Sequence, residues 1–454
     1  MNNFEKVLSF LPAVRKSEKK LGFNEKLLWT GAVLLLYFIL SAIPLYGLSP
    51  SYVSRFESLS LLLAARLGSL ISLGIGPIVS GSIILQLLKT ADIIKIDTST
   101  KEGRKLYEGV QKAISIFFII FMNSMYVLSG AIPPASSTFL NVLTLIVQLV
   151  FGGLLLMLFD EMSSTWGFGS GISLFIAAGV SQEIFMKSLS PIINPSTGYF
   201  VGYIPLIFQA FFKGTPQLII WPLLTLLSTV AIFMAVVFMQ SVKVNIPLSM
   251  GKVRGYTFKW PIHFFYTSNM PVIFTTSLIA MVQMVGLILF NAGFPIFGSF
   301  SGQNPTSGLA SWLQFPTISD IVTLGVSSYT MQLIVYPLFL IIGSIGFSIL
   351  WVNVGGQDAS SVAQQIFDVG LGVPGFRRDK RILEHILARY INPLAVLGGA
   401  TIGVLAVLAD FLGVLTRGTG ILLTVMIIYN FYENISKTSL EDANPFVKKL
   451  FGAL

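Results

Sequence analysis

The sequence contains no cysteine, only two histidines and few charged side chains. Disulfides and cysteine-ligated metals or clusters are therefore excluded, and cysteine usage says nothing about the redox compartment. Only 11% of the 454 residues are charged, 54% are hydrophobic and the mean hydropathy is +0.79. Soluble domains carry about 25% charged residues. A water-soluble fold is not expected, and the composition indicates an integral membrane protein.

Apolar stretches of about 20 residues, enough to cross a hydrocarbon core of about 30 Å, recur along the whole chain. A cleaved signal peptide followed by a soluble domain is therefore not expected. We predict an all-α membrane protein with about ten transmembrane helices. The predicted spans are residues 27–47, 70–88, 110–130, 138–160, 170–188, 216–241, 268–290, 330–352, 391–411 and 418–435.

Lysine and arginine are concentrated in alternate gaps between the predicted spans, on the same side as both termini. By the positive-inside rule, that side is the cytoplasm. The sequence therefore predicts a cytoplasmic N-terminal segment, 1–26, and a cytoplasmic C-terminal tail, 436–454. It places the protein in the cytoplasmic membrane, with membrane lipids among its partners.

Three loops have unusual composition. Loops 241–261 and 354–392 are long and basic at their tips, more so than topology requires, so a partner with an anionic surface is expected there. RNA is the leading candidate, because phosphates attract clustered Lys and Arg, although lipid headgroups would do the same. Residues 291–329, on the opposite side, are too apolar for a freely solvated loop, and we expect them to fold back onto the helices.

The ten predicted spans divide into two halves, 27–190 and 216–435, joined by an external hinge loop at 191–215. Because each half has an odd number of spans, the second half would enter the membrane inverted relative to the first. Inverted halves place a pathway at their interface. A chance division into five and five remains the alternative.

Residues 58–67 form an amphipathic stretch of about 15 Å as a helix. This length cannot cross a bilayer. Arg66 would cost about 2.5–3.5 kcal/mol near the bilayer centre, so it must face protein or water. We therefore expect a short helix in a cavity, with a kinked, packed helix as the alternative. In the span that follows, Ile75 and Val79 share one face.

A Gly-rich stretch, 167–180, presents Ile172 and Ile176 at the same i, i+4 spacing as Ile75 and Val79, although such small residues also serve helix packing alone. Asp160 and Glu161 stand at the cytoplasmic end of span 4, where water would reach them, so we expect no catalytic or metal role there. The spans otherwise lack the buried ionisable side chains that ion-coupled transporters carry.

Five segments together resemble the SecY family in its archaeal form. They read RLGSLISLGIGPIVSGSIILQLL, LFDEMSSTWGFGSGISLFIAAGVSQ, SNMPVIF, VPGFRRDKRILEH and GTGILLTVMIIYNFYE, in the order of the family. The resemblance covers nearly the whole chain. It implies the large subunit of the Sec translocon, in which two inverted five-helix halves surround a central hourglass pore. That pore opens across the membrane for secreted chains and sideways for transmembrane segments.

The resemblance also implies roles for individual residues. Residues 58–67 would be the plug helix, with Leu61, Leu62, Ala65 and Arg66, and Gly68 as its hinge. The constriction would be a ring of six aliphatic side chains, here called the ring residues: Ile75, Val79, Ile172, Ile176, Ile273 and Leu423. A lateral gate would lie between spans 2 and 3 and spans 7 and 8. Its polar pair is replaced here by Met122 and Met281, so the gate residues are taken as Ser72, Asn123 and Gln283.

The two basic loops match the family's docking site for the ribosome. The implied docking residues are Arg377, Arg378, Lys380, Arg381, Lys252, Arg254 and Lys259. The implied partners are a SecE-like gamma subunit, a small beta subunit, signal sequences and nascent polypeptides. No catalytic residue, metal or cofactor is expected. From the residues alone, a ten-span secondary transporter is an equal alternative, and an intramembrane enzyme is a distant one because nucleophile and dyad are missing.

Overall fold

The computed structural model describes residues 14, 21–49, 68–90, 93–94, 96, 101–130, 132–136, 138–194, 197–250, 257–268, 270–301, 304–316, 321–322, 325–368, 370–372 and 379–442. This part of the chain is mostly helical. Its helices are α1 (Phe23–Ala42), α2 (Gly76–Thr90), α3 (Lys101–Leu128), α4 (Phe139–Trp166), α5 (Gly171–Leu189), α6 (Tyr203–Phe212), α7 (Ile220–Ser241), α8 (Met270–Asn291), α9 (Gly308–Trp312), α10 (Thr330–Val354), α11 (Ala359–Asp368), α12 (Lys380–Phe411) and α13 (Gly418–Asp442).

Eight helices of the described residues are long and apolar enough to cross a membrane, namely α1, α3, α4, α5, α7, α8, α10 and α12. They coincide with predicted spans 1 and 3 to 9, which confirms the predicted helical membrane fold. Predicted spans 2 and 10 coincide with α2, which has only 15 residues, and with α13, which is not among the eight. The total of ten spans stays a prediction.

Helix α12 begins at Lys380, well before the predicted start of span 9 at residue 391. The difference arises because the helix also includes the polar segment 380–390, which precedes Pro393 and the apolar part. Its 32 residues correspond to a length of about 48 Å. Proline inside a helix removes one backbone hydrogen bond and bends the helix.

Two hydrophobic clusters form the core between the helices. All buried members of one cluster come from residues 33–175, on α1 to α5 and the segments between them. The other cluster is built mostly from residues 232–427, and Val79, Ile83 and Ala177 join it from α2 and α5. Close packing depends on small residues. A Cβ at Gly152 in α4 would lie 2.1 Å from the carbonyl oxygen of Leu70.

Loop 241–261 forms an antiparallel hairpin that the sequence analysis did not predict as strands. Strand β1 (Lys243–Met250) pairs with β2 (Thr257–His263) and, at its end, with β5 (Leu371–Gly372), which lies in the other basic loop. The hairpin packs on α11 and α12 through one hydrophobic cluster. Because β1 and β5 come from different basic loops, the two loops share one small sheet. Glu433 of α13 lies 3.5 Å from the Lys243 ammonium nitrogen and 4.0 Å from His263 Nε2.

The described parts of the loops at the opposite helix ends also contain regular elements. Between α8 and α10 lie β3 (Phe300–Ser301), β4 (Asn304–Pro305) and α9. Phe300 and Ala310 of this segment are buried against Leu287 of α8, which confirms that the loop folds back onto the helices. The hinge loop 191–215 contains the ten-residue helix α6, which the sequence analysis did not predict. The inverted relation of the two halves stays a prediction.

Candidate pore and gate

Five of the six predicted ring residues lie on four helices, and Ile75 immediately precedes one of those helices. Val79, Ile273 and Leu423, on α2, α8 and α13, belong to the cluster that joins the two halves, each with 8% or less of its surface exposed. Ile75, just before α2, and Ile172 and Ile176 on α5 are half-buried and pack against the same cluster. All six therefore belong to or pack against one large cluster, and their arrangement as a ring stays a prediction.

The predicted ring would offer neither hydrogen-bond donors nor acceptors from its side chains. A narrow aliphatic constriction of this kind excludes water by dewetting. The position of Val79 relative to Ile75 is fixed by the backbone hydrogen bond from Val79 N–H to the Ile75 carbonyl, at 3.0 Å. Gly74 precedes this turn with a φ of +54°, a conformation that favours glycine.

The proposed plug, 58–67, with Leu61, Leu62, Ala65 and Arg66, lies outside the described residues. The predicted hinge, Gly68, is described and has a φ of +86°, which suits glycine. The Gly68 carbonyl accepts a hydrogen bond from Leu45 N–H at 2.8 Å. The chain is thus fixed to the segment after α1 at the point where the described part resumes.

The three predicted gate residues do not hydrogen-bond to one another. The Ser72 hydroxyl donates to the Ser69 carbonyl at 2.5 Å. The Asn123 amide donates to the Ile119 carbonyl one turn back at 2.6 Å, and its Oδ1 is buried without a hydrogen-bond partner among the described residues. Gln283 is half-buried on α8. Their role in a gate stays a prediction.

The helices expected to form the gate do contact each other. Helix α2 packs on α8 and α10, and Phe274, Phe347 and Trp351 form edge contacts beside it. At the other end of the same boundary, the side-chain amide of Asn291 on α8 donates to the carbonyl of Ser129, just after α3. The sequence analysis did not single out Asn291, although a lone amide side chain at the end of an apolar span could have indicated a hydrogen bond there.

The docking residues are only partly described. Arg377, Arg378, Lys252 and Arg254 lie outside the described residues. Lys259 is exposed on β2, while half-buried Lys380 and exposed Arg381 begin α12.

The two basic loops are joined to each other near this surface. The Tyr266 hydroxyl, just after the hairpin, donates to the Gln357 carbonyl at 2.7 Å. Burial, and secondarily the negative charge of Asp358, raises the pKa of Tyr266 from 10.0 to about 12. This tyrosine therefore remains a neutral donor at physiological pH.

Two aspartates have roles that sequence reasoning missed. Asp160 was expected to face water, but its Oδ1 accepts hydrogen bonds from Ile172 N–H at 2.8 Å and from the Ser170 hydroxyl at 3.2 Å. Asp410, at the end of α12, accepts from the Tyr336 hydroxyl and from Gly418 N–H, both at 2.6 Å. Asp410 is an ionisable side chain inside predicted span 9, where it is half-buried and hydrogen-bonded.

Comparison with known proteins shows the family of the chain. The SecY family model matches residues 69–432. Protein translocase subunit SecY of Methanothermobacter thermautotrophicus is 41% identical over 454 residues, covering 99% of this chain and 98% of the relative. The SecY of Methanocaldococcus jannaschii is 39% identical over 445 residues, covering 98% of each chain.

Solved structures show the same fold. A structure of a protein-conducting channel matches with a TM-score of 0.81 and 39% identity, covering 97% of this chain and 98% of that chain. Sec61 in a canine ribosome-channel complex matches with a TM-score of 0.79 and 39% identity, with the same coverage. These relatives and the apolar helices establish a multi-pass membrane protein. The chain belongs to the SecY family and is a protein translocase subunit.

Proposed function

We propose that this chain forms the pore of a protein-conducting channel in the cytoplasmic membrane, with both termini in the cytoplasm. The pore would carry secretory polypeptides across the membrane and release transmembrane segments sideways into lipid. One observation carries the proposal. Six aliphatic side chains, supplied by both halves of the sequence, belong to or pack against one hydrophobic cluster between the helices.

The chemistry of that cluster suits a passage for many sequences. An aliphatic ring without polar side chains excludes water when it is closed, and it makes no directional bonds to a peptide passing through. Residues 58–67, which the resemblance to the family assigns as a plug, would cover one side of the ring. The lateral exit would lie along the boundary of α2 and α3 with α8 and α10, where side-chain packing and the bond from Asn291 to Ser129 contribute to holding the two sides together.

The partners follow from the family and the basic loops. A ribosome would dock on the sheet shared by loops 241–261 and 354–392, because ribosomal RNA presents phosphates to clustered Lys and Arg; the similar Sec61 structure is of a ribosome-channel complex. A SecE-like gamma subunit and a small beta subunit would complete the assembly. The chain itself would perform no catalysis, and the energy would come from the partner.

Site-specific crosslinking tests the pore. Because the chain has no native cysteine, a single cysteine at Ile176 or Leu423 can be probed with a stalled precursor in proteoliposomes. Both positions should crosslink to the precursor. A cysteine at Leu227, which is 61% exposed on α7, is the matched control and should not. Equal crosslinking at all three positions, or none at the ring, would refute the pathway.

The plug is tested separately. A cysteine at Leu62 and another on the external loop of the gamma subunit should crosslink more when a precursor is engaged. Crosslinking that never changes, in a complex shown to be engaged, would mean that 58–67 does not move out of the pore.

A further inference from the structure

The turn that precedes α5 is held by two side chains of other helices. Phe168 N–H donates to the hydroxyl of Thr30 on α1 at 3.2 Å. Four residues later, Ile172 N–H donates to the carboxylate of Asp160 on α4 at 2.8 Å. The first turn of a helix has N–H groups without partners in the helix, so these bonds fix where α5 begins.

The turn that precedes α13 is held in the same way. Leu415 N–H donates to the hydroxyl of Thr229 on α7 at 3.1 Å. Gly418 N–H then donates to the carboxylate of Asp410 on α12 at 2.6 Å. Under the proposed five-plus-five division, α7 and α12 are the counterparts of α1 and α4. One threonine and one aspartate therefore occur at corresponding helices of each half.

The chemistry of the two threonines is also the same. Thr30 donates its hydroxyl hydrogen to the Lys26 carbonyl, four residues earlier in α1, at 2.8 Å. Thr229 donates to the Thr225 carbonyl, four residues earlier in α7, at 2.6 Å. Each hydroxyl oxygen is thereby oriented to accept the N–H of the neighbouring turn.

The spacing along the chain agrees as well. The residue bound by threonine, Phe168 or Leu415, stands three positions before the first residue of the helix, Gly171 or Gly418. Both glycines touch the preceding spanning helix so closely that a Cβ on either would lie 2.5 Å from a backbone atom of that helix. Neither helix can begin elsewhere without losing this contact.

Ring residues follow each anchored start at the same distance. Ile176 is five positions after Gly171, and Leu423 is five positions after Gly418. At 1.5 Å per residue, both lie about 7.5 Å along the helix from the anchored start. Aliphatic packing alone resists sliding or rotation of a helix only weakly because it has no direction, whereas a hydrogen bond to a fixed carboxylate has one.

We propose that Asp160 with Thr30, and Asp410 with Thr229, are two equivalent sets of positioning residues that fix the height of Ile176 and Leu423 in the closed ring. The proposal rests on the proposed function, because it assumes that these residues form the ring. With inverted halves, one set acts from the cytoplasmic side and the other from the external side. Loss of either set displaces one wall of the ring, so the idle channel leaks small ions.

The aspartates are tested by anion leak from proteoliposomes that contain the complete heterotrimer without precursor. Asp160→Ala and Asp410→Ala should each raise the leak by about tenfold, as expected for a lost charge-assisted hydrogen bond. Asp160→Asn keeps an acceptor oxygen and should stay near the parent. Glu161→Ala is the matched control, because Glu161 pairs with Lys112 at 2.7 Å and makes no bond to the α5 turn. A leak from Glu161→Ala equal to that from Asp160→Ala would overturn the proposal.

The threonines have their own control. Thr30→Val and Thr229→Val should each raise the leak several-fold, whereas Thr401→Val should not. Thr401 makes the same bond to the carbonyl four residues earlier, at 2.7 Å, but on the exposed side of α12. If all three variants behave alike, the hydroxyls act only within their own helices and the proposal fails.

A second measurement covers variants that fold poorly. In native membranes, a bifunctional maleimide should crosslink cysteines placed at Ile176 and Leu423, and Asp160→Ala should reduce this reaction while Glu161→Ala should not. Unchanged crosslinking together with unchanged leak would overturn the proposal. Translocation of a precursor by the parent is assayed in the same vesicles. A parent protein that blocks ion leak normally yet never translocates the precursor would contradict the proposed function. It would not contradict the positioning roles of the aspartates and threonines.

Discussion

Substitution of Gly152 by alanine should strain the contact between α4 and the segment that leads into the ring. An alanine Cβ at this position would lie 2.1 Å from the Leu70 carbonyl oxygen and 2.9 Å from the Leu70 carbonyl carbon. Both atoms are backbone, so no side-chain rotation relieves the clash. The segment at Leu70 must move by about 1 Å to restore ordinary contact, and such overpacking costs about 1–3 kcal/mol.

Gly346 provides the matched control. It also lies within a spanning helix, α10, but a Cβ there would meet nothing within 4 Å. Gly346→Ala should therefore stabilise the protein by about 0.5–1 kcal/mol, the usual gain in helix propensity. The thermal midpoints of purified protein in detergent should rank Gly152→Ala below the parent and Gly346→Ala above it.

The functional consequence is also measurable. Leu70 is five residues before the ring residue Ile75, so a displaced Leu70 should also raise ion leak in Gly152→Ala. A Gly152→Ala midpoint equal to or above that of Gly346→Ala would refute the reasoning, because the contact with Leu70 would then be soft.

Three further predictions concern the gate and the docking surface. Asn291→Ala should weaken the tie to Ser129 by about 1 kcal/mol, shifting a gate equilibrium about fivefold toward opening; unchanged crosslinking of a cysteine pair placed across α3 and α8 would contradict this. Tyr266 should contribute fully to the free energy of unfolding below pH 10.0 and lose that contribution as the pH rises toward about 12, because its folded pKa is raised. Tyr266→Phe should remove this alkaline slope in a pH series of chemical unfolding. Glu433→Gln should cost at most about 1 kcal/mol, since the ion pairs are partly exposed, and high salt should abolish the difference from the parent.

Periodicity in the sequence was sufficient to single out part of the predicted ring. Ile172 and Ile176 stand one helical turn apart beside glycines, so their shared face could be predicted from spacing. Ile273 and Leu423 are single residues in uniformly apolar spans, and nothing local distinguishes them from neighbours that face lipid. Only the resemblance to the family identified them, and the structure then placed them in the same cluster.

Other features depended on contacts that the sequence does not reveal. Asp160 and Asp410 bind turns that are close in space but formed by later parts of the chain, so an acidic residue at the end of a span reveals nothing about its partner. The strand pattern of the hairpin was present, with Ile246 and Leu248 both buried on one face of β1. It was obscured because Pro247 between them argues against a strand.

The length of α12 has a mechanical consequence. From Lys380 to Pro393 the helix extends about 20 Å, and from Pro393 to its end at Phe411 about 27 Å, close to the thickness of a hydrocarbon core. Pro393 therefore divides α12 into two segments. The segment from Lys380 to Pro393, here called the outer arm, lies beside the basic loops, and the segment from Pro393 to Phe411, here called the inner arm, is long enough to cross the membrane. Bending at this joint would let the outer arm follow a docked ribosome while the inner arm keeps Asp410 in place. Ribosome docking and opening of the closed ring would then be separate steps. A ribosome could bind while the ring still blocks ion flow across the membrane.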